Sequence, residues 1–342
     1  MPVRVKWLTI LFVFVCCFSR AQTTADAKQQ FAEFDQCPLV SGDKIQDCKI
    51  GYRTFGQLNA AKDNAILVPT WYTGSSEDHQ YLVTDGVLDP SKYFIVIVDA
   101  LANGISSSPS NSKVQPLEKF PVITIADMVD SQHKLLTNVL GVNQLYAVVG
   151  LSMGGMQAFE WAVRYPAFTQ KIVSAIGSPQ LPSFDIALWT TQINLMTLFR
   201  NCQCQQAISA LTSMRYIGMV PEVLGTRIPR DEIIQTITEQ AQQSTLTIAN
   251  TWDYQRQAQA MITHDIARAA QHDLSKVAAL IKARFLIVLG ADDRVVTPHP
   301  ARAFAPMIKA KLVELDADCG HGDPWCAKEE FTLQVSRFLD EK

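Results

Sequence analysis

Short, unbroken apolar runs alternate with amphipathic stretches along most of this chain. The runs fall at 65–68, 93–98, 146–149, 172–175, 285–289 and 311–315. Several lack the apolar–polar alternation of a half-exposed strand, which is the pattern of parallel strands covered on both faces. Apolar residues at helical spacing mark 126–140, 153–165, 301–308 and 328–339. Strand alternating with helix predicts a doubly wound, mostly parallel α/β sheet. Upstream, Ser41-Gly42-Asp43-Lys44 reads as a two-residue hairpin turn, with Gly42 in the first central position that a type II′ turn favours.

The pattern changes between the fourth and fifth runs. Residues 183–276 are rich in Gln, Thr, Ala and Met, and show helical periodicity with no strand-like run. They predict a helical lid inserted into the core, where substrate selection would reside. The lid is also a candidate homodimer surface. Arg4 and Lys6 precede an apolar run at 7–18, and Ser19 and Ala21 supply the small residues of a cleavage site. That is the pattern of a secretory signal peptide cleaved after Ala21. The apolar run is well short of the roughly 20 residues that span a bilayer, so no stable membrane anchor is expected. The expected division is a leader at 1–21, core at 22–182, lid at 183–276 and core at 277–342, with the mature chain secreted or periplasmic.

Composition adds limits rather than function. With 342 residues, 48% of them hydrophobic, the chain can bury a large core. A net charge of −3 gives no reason to expect nucleic acid or an anionic membrane as partner. Beyond the leader stand six cysteines, Cys37, Cys48, Cys202, Cys204, Cys319 and Cys326. An even count in an exported chain predicts disulfides. Folding about Gly42-Asp43 sets Cys37 opposite Cys48 at a bridgeable distance. Cys319 and Cys326 are near enough to close a loop around His321. Cys202 and Cys204 make an awkward pair, because so tight a ring strains the backbone. No complete metal-ligand spacing appears, and no cofactor is called for.

The sharpest motif is Gly150-Leu151-Ser152-Met153-Gly154, placed where the run at 146–149 passes into the helix at 153–165. A serine on a tight strand-to-helix turn projects out of the backbone, and glycines on either side leave room for the bend. The Met153 N–H then points from a helix N-terminus toward a developing oxyanion. Such a serine needs a base to take its proton and an acid to hold that base. In this arrangement the chain order is serine, acid, histidine. Asp292 and Asp293 follow the run at 285–289, and His321 lies between Gly320 and Gly322 after the run at 311–315. Asp293, three residues after Gly290, is the favoured acid, with Asp292 bracing the turn. His79 and His133 come too early, His264 and His272 lie in the lid, and His299 opens a helix. The second oxyanion donor is expected after the run at 65–68, where the Tyr72 N–H is the best candidate. Trp71 and Tyr72 also read as pocket walls or as core aromatics.

On these motifs the chain resembles the homoserine O-acetyltransferase family of α/β hydrolases. The likeness is nearly continuous from 51 to 161 and returns at the acid and histidine loops. It is carried by Gly51-Tyr52-Arg53-Thr54-Phe55-Gly56, Thr73-Gly74-Ser75-Ser76, Ile125-Ala126-Asp127-Met128-Val129 and Ser152-Met153-Gly154-Gly155-Met156-Gln157. The resemblance implies the α/β-hydrolase fold with a helical lid. It implies Ser152, Asp293 and His321 as the triad, with Tyr72 and Met153 as oxyanion donors. Three phrases depart from the family. His-Ala-Leu-Thr-Gly becomes Thr70-Trp71-Tyr72-Thr73-Gly74, and a Gly-Ser-Thr-Gly-Pro loop becomes 103–109. Asp-Ala-Asn-Ser-Tyr becomes Ile248-Ala249-Asn250-Thr251-Trp252. Trp71, Asn250 and Trp252 are therefore candidate substrate-binding residues, and the family's substrate is not implied as firmly as its fold. Acetyl-CoA is a cytoplasmic metabolite, whereas an exported enzyme has water as its most abundant acceptor. The expected reaction is hydrolysis of an ester or related small acyl substrate through an acyl-enzyme. O-acyl transfer is the alternative. A non-catalytic binding protein ranks below both, because all three triad residues stand in order.

Overall fold

A computed structural model describes residues 27–341, so the leader read at 1–21 lies outside the described residues. Eight strands form one sheet: β1 (Gln30–Pro38), β2 (Lys44–Phe55), β3 (Ala65–Pro69), β4 (Phe94–Val98), β5 (Leu145–Leu151), β6 (Thr169–Ala175), β7 (Arg284–Gly290) and β8 (Lys311–Leu315). Their spatial order is β1-β2-β4-β3-β5-β6-β7-β8. The hairpin β1–β2 is antiparallel and joins β4 antiparallel, while the strands from β4 to β8 across the sheet run parallel. All six apolar runs are strands of this sheet.

Their lack of alternation has a structural cause, because both faces are covered. On one face Leu67, Val148, Ile172 and Ile287 share a core with Met128, Phe159, Trp161 and Phe304. Those four come from α2 (Ile125–Asn138), α3 (Met153–Arg164) and α10 (His299–Phe304). On the other face Ile66, Val149, Val173 and Val288 pack with Leu82, Phe331 and Phe338. These belong to α1 (Tyr81–Thr84) and α12 (Lys328–Asp340). The helix read at 301–308 starts at His299 and tightens into a 3-10 turn at Ala305–Ile308. Pro306 lacks the N–H that would continue the α-helical ladder there.

The hairpin corrects one reading. The turn is a longer loop, not two residues: the Leu39 N–H donates to Asp43 C=O at 2.9 Å and the Gly42 N–H to Leu39 C=O at 3.0 Å, with Gly42 at φ 91°. This is the three-residue hairpin loop in which a turn is closed by a left-handed glycine. The register therefore pairs Cys37 with Ile45 and Cys48 with Phe34. The two cysteines still come within 5.6 Å, Cα to Cα, across a strand kinked at Asp47 (φ 48°).

The segment at 183–276 is built from α4 (Ser183–Cys202), α5 (Gln205–Ile217), α6 (Pro221–Arg227), α7 (Ile233–Gln242), α8 (Ile248–Ile262) and α9 (Leu274–Ala278). A left-handed Gln203 separates α4 from α5, and it brings Cys202 and Cys204 to a Cα separation of 5.0 Å. The pair that looked awkward in sequence is thus close in space. Helix α8 is tied to the core by buried polar groups. Asp253 accepts the Ser110 N–H at 2.8 Å, and Arg256 donates to Phe120 C=O at 2.8 Å. Among the described residues no helix is long and apolar enough to cross a membrane. A short helix, α11 (Asp323–Cys326), follows β8 just beyond His321 and precedes α12.

Candidate active site

Strand β5 ends at Leu151 and α3 begins at Met153, which leaves Ser152 as the whole connection. Ser152 takes φ 55° and ψ −121°, a conformation L residues rarely adopt and one held only by surrounding structure. The neighbouring glycines make that turn possible. A Cβ on Gly150 would sit 2.0 Å from Gly154 C=O, and one on Gly154 would sit 2.5 Å from Pro69 C=O. Their absence lets the start of α3 press against the end of β3. Ser152 Oγ lies 2.9 Å from His321 Nε2, and His321 Nδ1 lies 2.6 Å from Asp293 Oδ2. The other oxygen of Asp293 accepts the Val295 and Val296 N–H groups at 2.8 and 3.0 Å. Asp293 is buried, while Asp292 is exposed. The three groups arrive from the C-terminal ends of β5, β7 and β8.

The loop after β3 faces them. The N–H groups on either side of Tyr72 are occupied: Trp71 donates to His79 Nε2 at 3.2 Å and Thr73 to Gln257 Oε1 at 2.8 Å. The Tyr72 N–H has no acceptor among the described residues. Met153 is the first residue of α3, so its N–H has no partner within the helix. His79 Nδ1 faces Ser75 C=O at 2.8 Å, which puts the proton on Nδ1 and leaves Nε2 as acceptor. Burial pushes its pKa down to about 4, so the ring is neutral at neutral pH. Gln257 also donates to Leu101 C=O at 3.1 Å and so spans two loops. Neither His79 nor Gln257 carried any sequence signal of this role.

A family model described as the alpha/beta hydrolase fold matches residues 66–198. Among solved structures, the acetyl esterase MekB superposes with a TM-score of 0.82 over 92% of this chain and 97% of its own, at 26% identity. The chain has the α/β-hydrolase fold. It is similar to an ethyl acetate hydrolase of Pseudomonas veronii, 41% identical over 165 residues, or 47% of each chain. It is also similar to a homoserine O-acetyltransferase of Methanohalophilus mahii, 38% identical over 169 residues, 43% of this chain and 35% of that one. The chain thus spans about half the length, or less, of the curated relatives it matches.

A cavity of about 800 Å³ is walled by Tyr72 of the loop after β3, Val295 of the loop after β7, and Trp189, Gln192, Met196, Arg215 and Tyr254 of the inserted helices, among others. Burial pushes the Tyr72 phenol pKa up, so it stays protonated. Arg215 has no carboxylate partner among the described residues. Two candidate substrate-binding residues have local partners. Asn250 accepts the Thr247 N–H at 2.8 Å and donates to Thr245 C=O at 3.1 Å, capping α8. Trp252 lies under the Arg200 guanidinium at 3.9 Å. Neither lines the cavity, and Tyr254 is the wall residue from α8 instead. Trp71 also points elsewhere, packing on His79 at 3.6 Å and edge-on to Trp325 at 5.6 Å. Cys319 and Cys326 stand 6.5 Å apart, Cα to Cα, around His321.

Proposed function

We propose that this chain is a serine hydrolase of small esters that works through an acyl-enzyme. The observation that carries the reading is the hydrogen-bond line from Ser152 through His321 to Asp293. Ser152 Oγ–H donates to His321 Nε2, so an acceptor for its proton stands ready when Oγ attacks an ester carbonyl. His321 Nδ1–H donates to Asp293, which keeps the ring in that tautomer and stabilises the imidazolium that forms. The Tyr72 and Met153 N–H groups supply two donors for the oxyanion. The leaving alcohol takes its proton from His321. Water then gives a proton to His321 as it attacks the acyl carbonyl, and His321 returns that proton to Ser152 Oγ as the acyl–Oγ bond breaks and the acid leaves.

Water is preferred as acceptor for two reasons. The phrases at 70–74 and 248–252 depart from the acyltransferase pattern, and two of the similar proteins are named as hydrolase and esterase. Export through a leader at 1–21 and oxidation of the three cysteine pairs belong to the same reading, since an oxidising compartment keeps such pairs bridged. A second reading, O-acyl transfer to a small acceptor, draws on Arg215. An unpaired guanidinium in the cavity suits an acceptor that carries a carboxylate.

The test compares hydrolysis of short-chain esters by the purified chain with acetyl transfer from acetyl-CoA to homoserine. Hydrolysis should dominate, and Ser152→Ala should lower it by about 10⁴-fold or more. The same substitution should abolish labelling by a fluorophosphonate. Transfer much faster than hydrolysis would reverse the choice of acceptor. Labelling that persists in Ser152→Ala would remove the nucleophile.

A further inference from the structure

We propose that Cys319 and Cys326 form a disulfide that positions His321 and ties the base loop to the oxyanion loop. The proposal rests on the triad reading above. The two cysteines bracket His321 and lie 6.5 Å apart, Cα to Cα, within the span of a disulfide. The segment between them has little structure of its own. It consists of one 3-10 turn at Gly320–Gly322 and the four-residue α11, preceded by a left-handed Asp318. Yet the imidazole must stay within hydrogen-bond reach of two partners at once, 2.6 Å from Asp293 and 2.9 Å from Ser152. Closing the segment into a ring removes most of its alternative conformations.

The ring also reaches across the site. Trp325, beside Cys326, lies edge-on to Trp71 at 5.6 Å between ring centres. Trp71 immediately precedes Tyr72, whose N–H is the proposed oxyanion donor. At the other end, the Cys319 N–H donates to the buried Asp323 carboxylate at 2.9 Å, and Arg227 of α6 donates to Cys319 Sγ at 3.2 Å. One ring therefore connects the base loop, the oxyanion loop and the inserted helices. The pair at Cys37 and Cys48 lies in the edge hairpin and makes no such connection.

The experiment compares wild type, Cys319→Ser/Cys326→Ser and the control Cys37→Ser/Cys48→Ser, each in the full chain. Readouts are short-chain ester hydrolysis across pH, thermal melting and the rate of fluorophosphonate labelling at Ser152. The base-loop variant should lose about 10- to 100-fold in kcat with KM nearly unchanged, label more slowly, and show a displaced pH–rate limb. The control should keep its kcat. A base-loop variant that melts cooperatively and keeps wild-type kcat overturns the proposal. Wild type titrated with dithiothreitol gives a measurement independent of variant folding. Two thiol–disulfide exchanges convert each bridge to two protein thiols and leave the reagent as a cyclic disulfide. Differential alkylation then reports each pair, and activity should track the fraction of intact 319–326 bridge. Full activity with that pair reduced overturns the proposal. Wild type that neither hydrolyses esters nor labels at Ser152 sinks the triad reading and the bridge with it. Active wild type with an equally active base-loop variant sinks the bridge alone.

Discussion

Asp292 and Asp293 are neighbouring carboxylates with opposite surroundings. Asp293 is buried, spends one oxygen on two backbone N–H groups and offers the other to His321. Asp292 is exposed to solvent. Asp293→Asn should therefore lower kcat by about 10³- to 10⁴-fold, because the amide cannot hold the same tautomer of the ring. Asp292→Asn should leave kcat within about threefold, as surface substitutions usually do. Steady-state kinetics on the two variants checks both, and equal mild effects would place the acid elsewhere. This choice was legible in sequence because a fixed offset from Gly290 sets where the chain re-enters the site. The roles of His79 and Gln257 were not. Gln257 meets Thr73 across 184 residues, and no local pattern marks such a contact. Asn250 and Trp252 have local partners that a phrase-level likeness does not reveal, because it says nothing about which way a side chain points on its helix.

The elements near the site work by close approach of backbones. Gly154 allows the start of α3, where Met153 stands, to rest on the end of β3, three residues before Tyr72. In Gly154→Ala the new Cβ would lie 2.5 Å from Pro69 C=O, a backbone atom that cannot rotate away. Either β3 or α3 must shift, which costs about 1 to 3 kcal/mol in a packed core. The same shift moves Met153 relative to Tyr72, the two N–H groups proposed to hold the oxyanion. A lowered midpoint of denaturation and a fall in kcat of about 10-fold or more should therefore appear together. Unchanged kcat at reduced stability would mean that the two donors do not depend on this contact. Most strands were readable as apolar runs because both faces of the sheet are buried. The hairpin register was not, since Ser41-Gly42-Asp43-Lys44 suits a two-residue turn as well as the longer loop observed. That choice is settled by which N–H groups find partners.

At the scale of the whole molecule, two buried carboxylates dock the inserted helices onto the core. Asp185 of α4 accepts the Thr297 N–H at 3.0 Å, just beyond the acid loop, and its second oxygen has no partner among the described residues. Asp253 of α8 accepts the Ser110 N–H. Burial pushes both pKa values up to about 6, and for Asp185 the nearby Asp293 adds to the rise. The sign of the stability effect follows. Between about pH 4 and 6 the unfolded chain has already lost these protons while the folded chain still holds them. Stability from these groups therefore falls as pH rises through that window and levels off above it. Asp185→Asn/Asp253→Asn removes the titration but keeps an oxygen to accept each backbone N–H. The stability of the double variant relative to wild type should thus grow from pH 4 to pH 6 and then stay constant. Urea unfolding of both proteins at pH 4, 5, 6 and 7 measures this directly. A difference independent of pH would mean that neither carboxyl holds its proton in the folded state. The inserted helices would then be docked by packing and neutral hydrogen bonds alone.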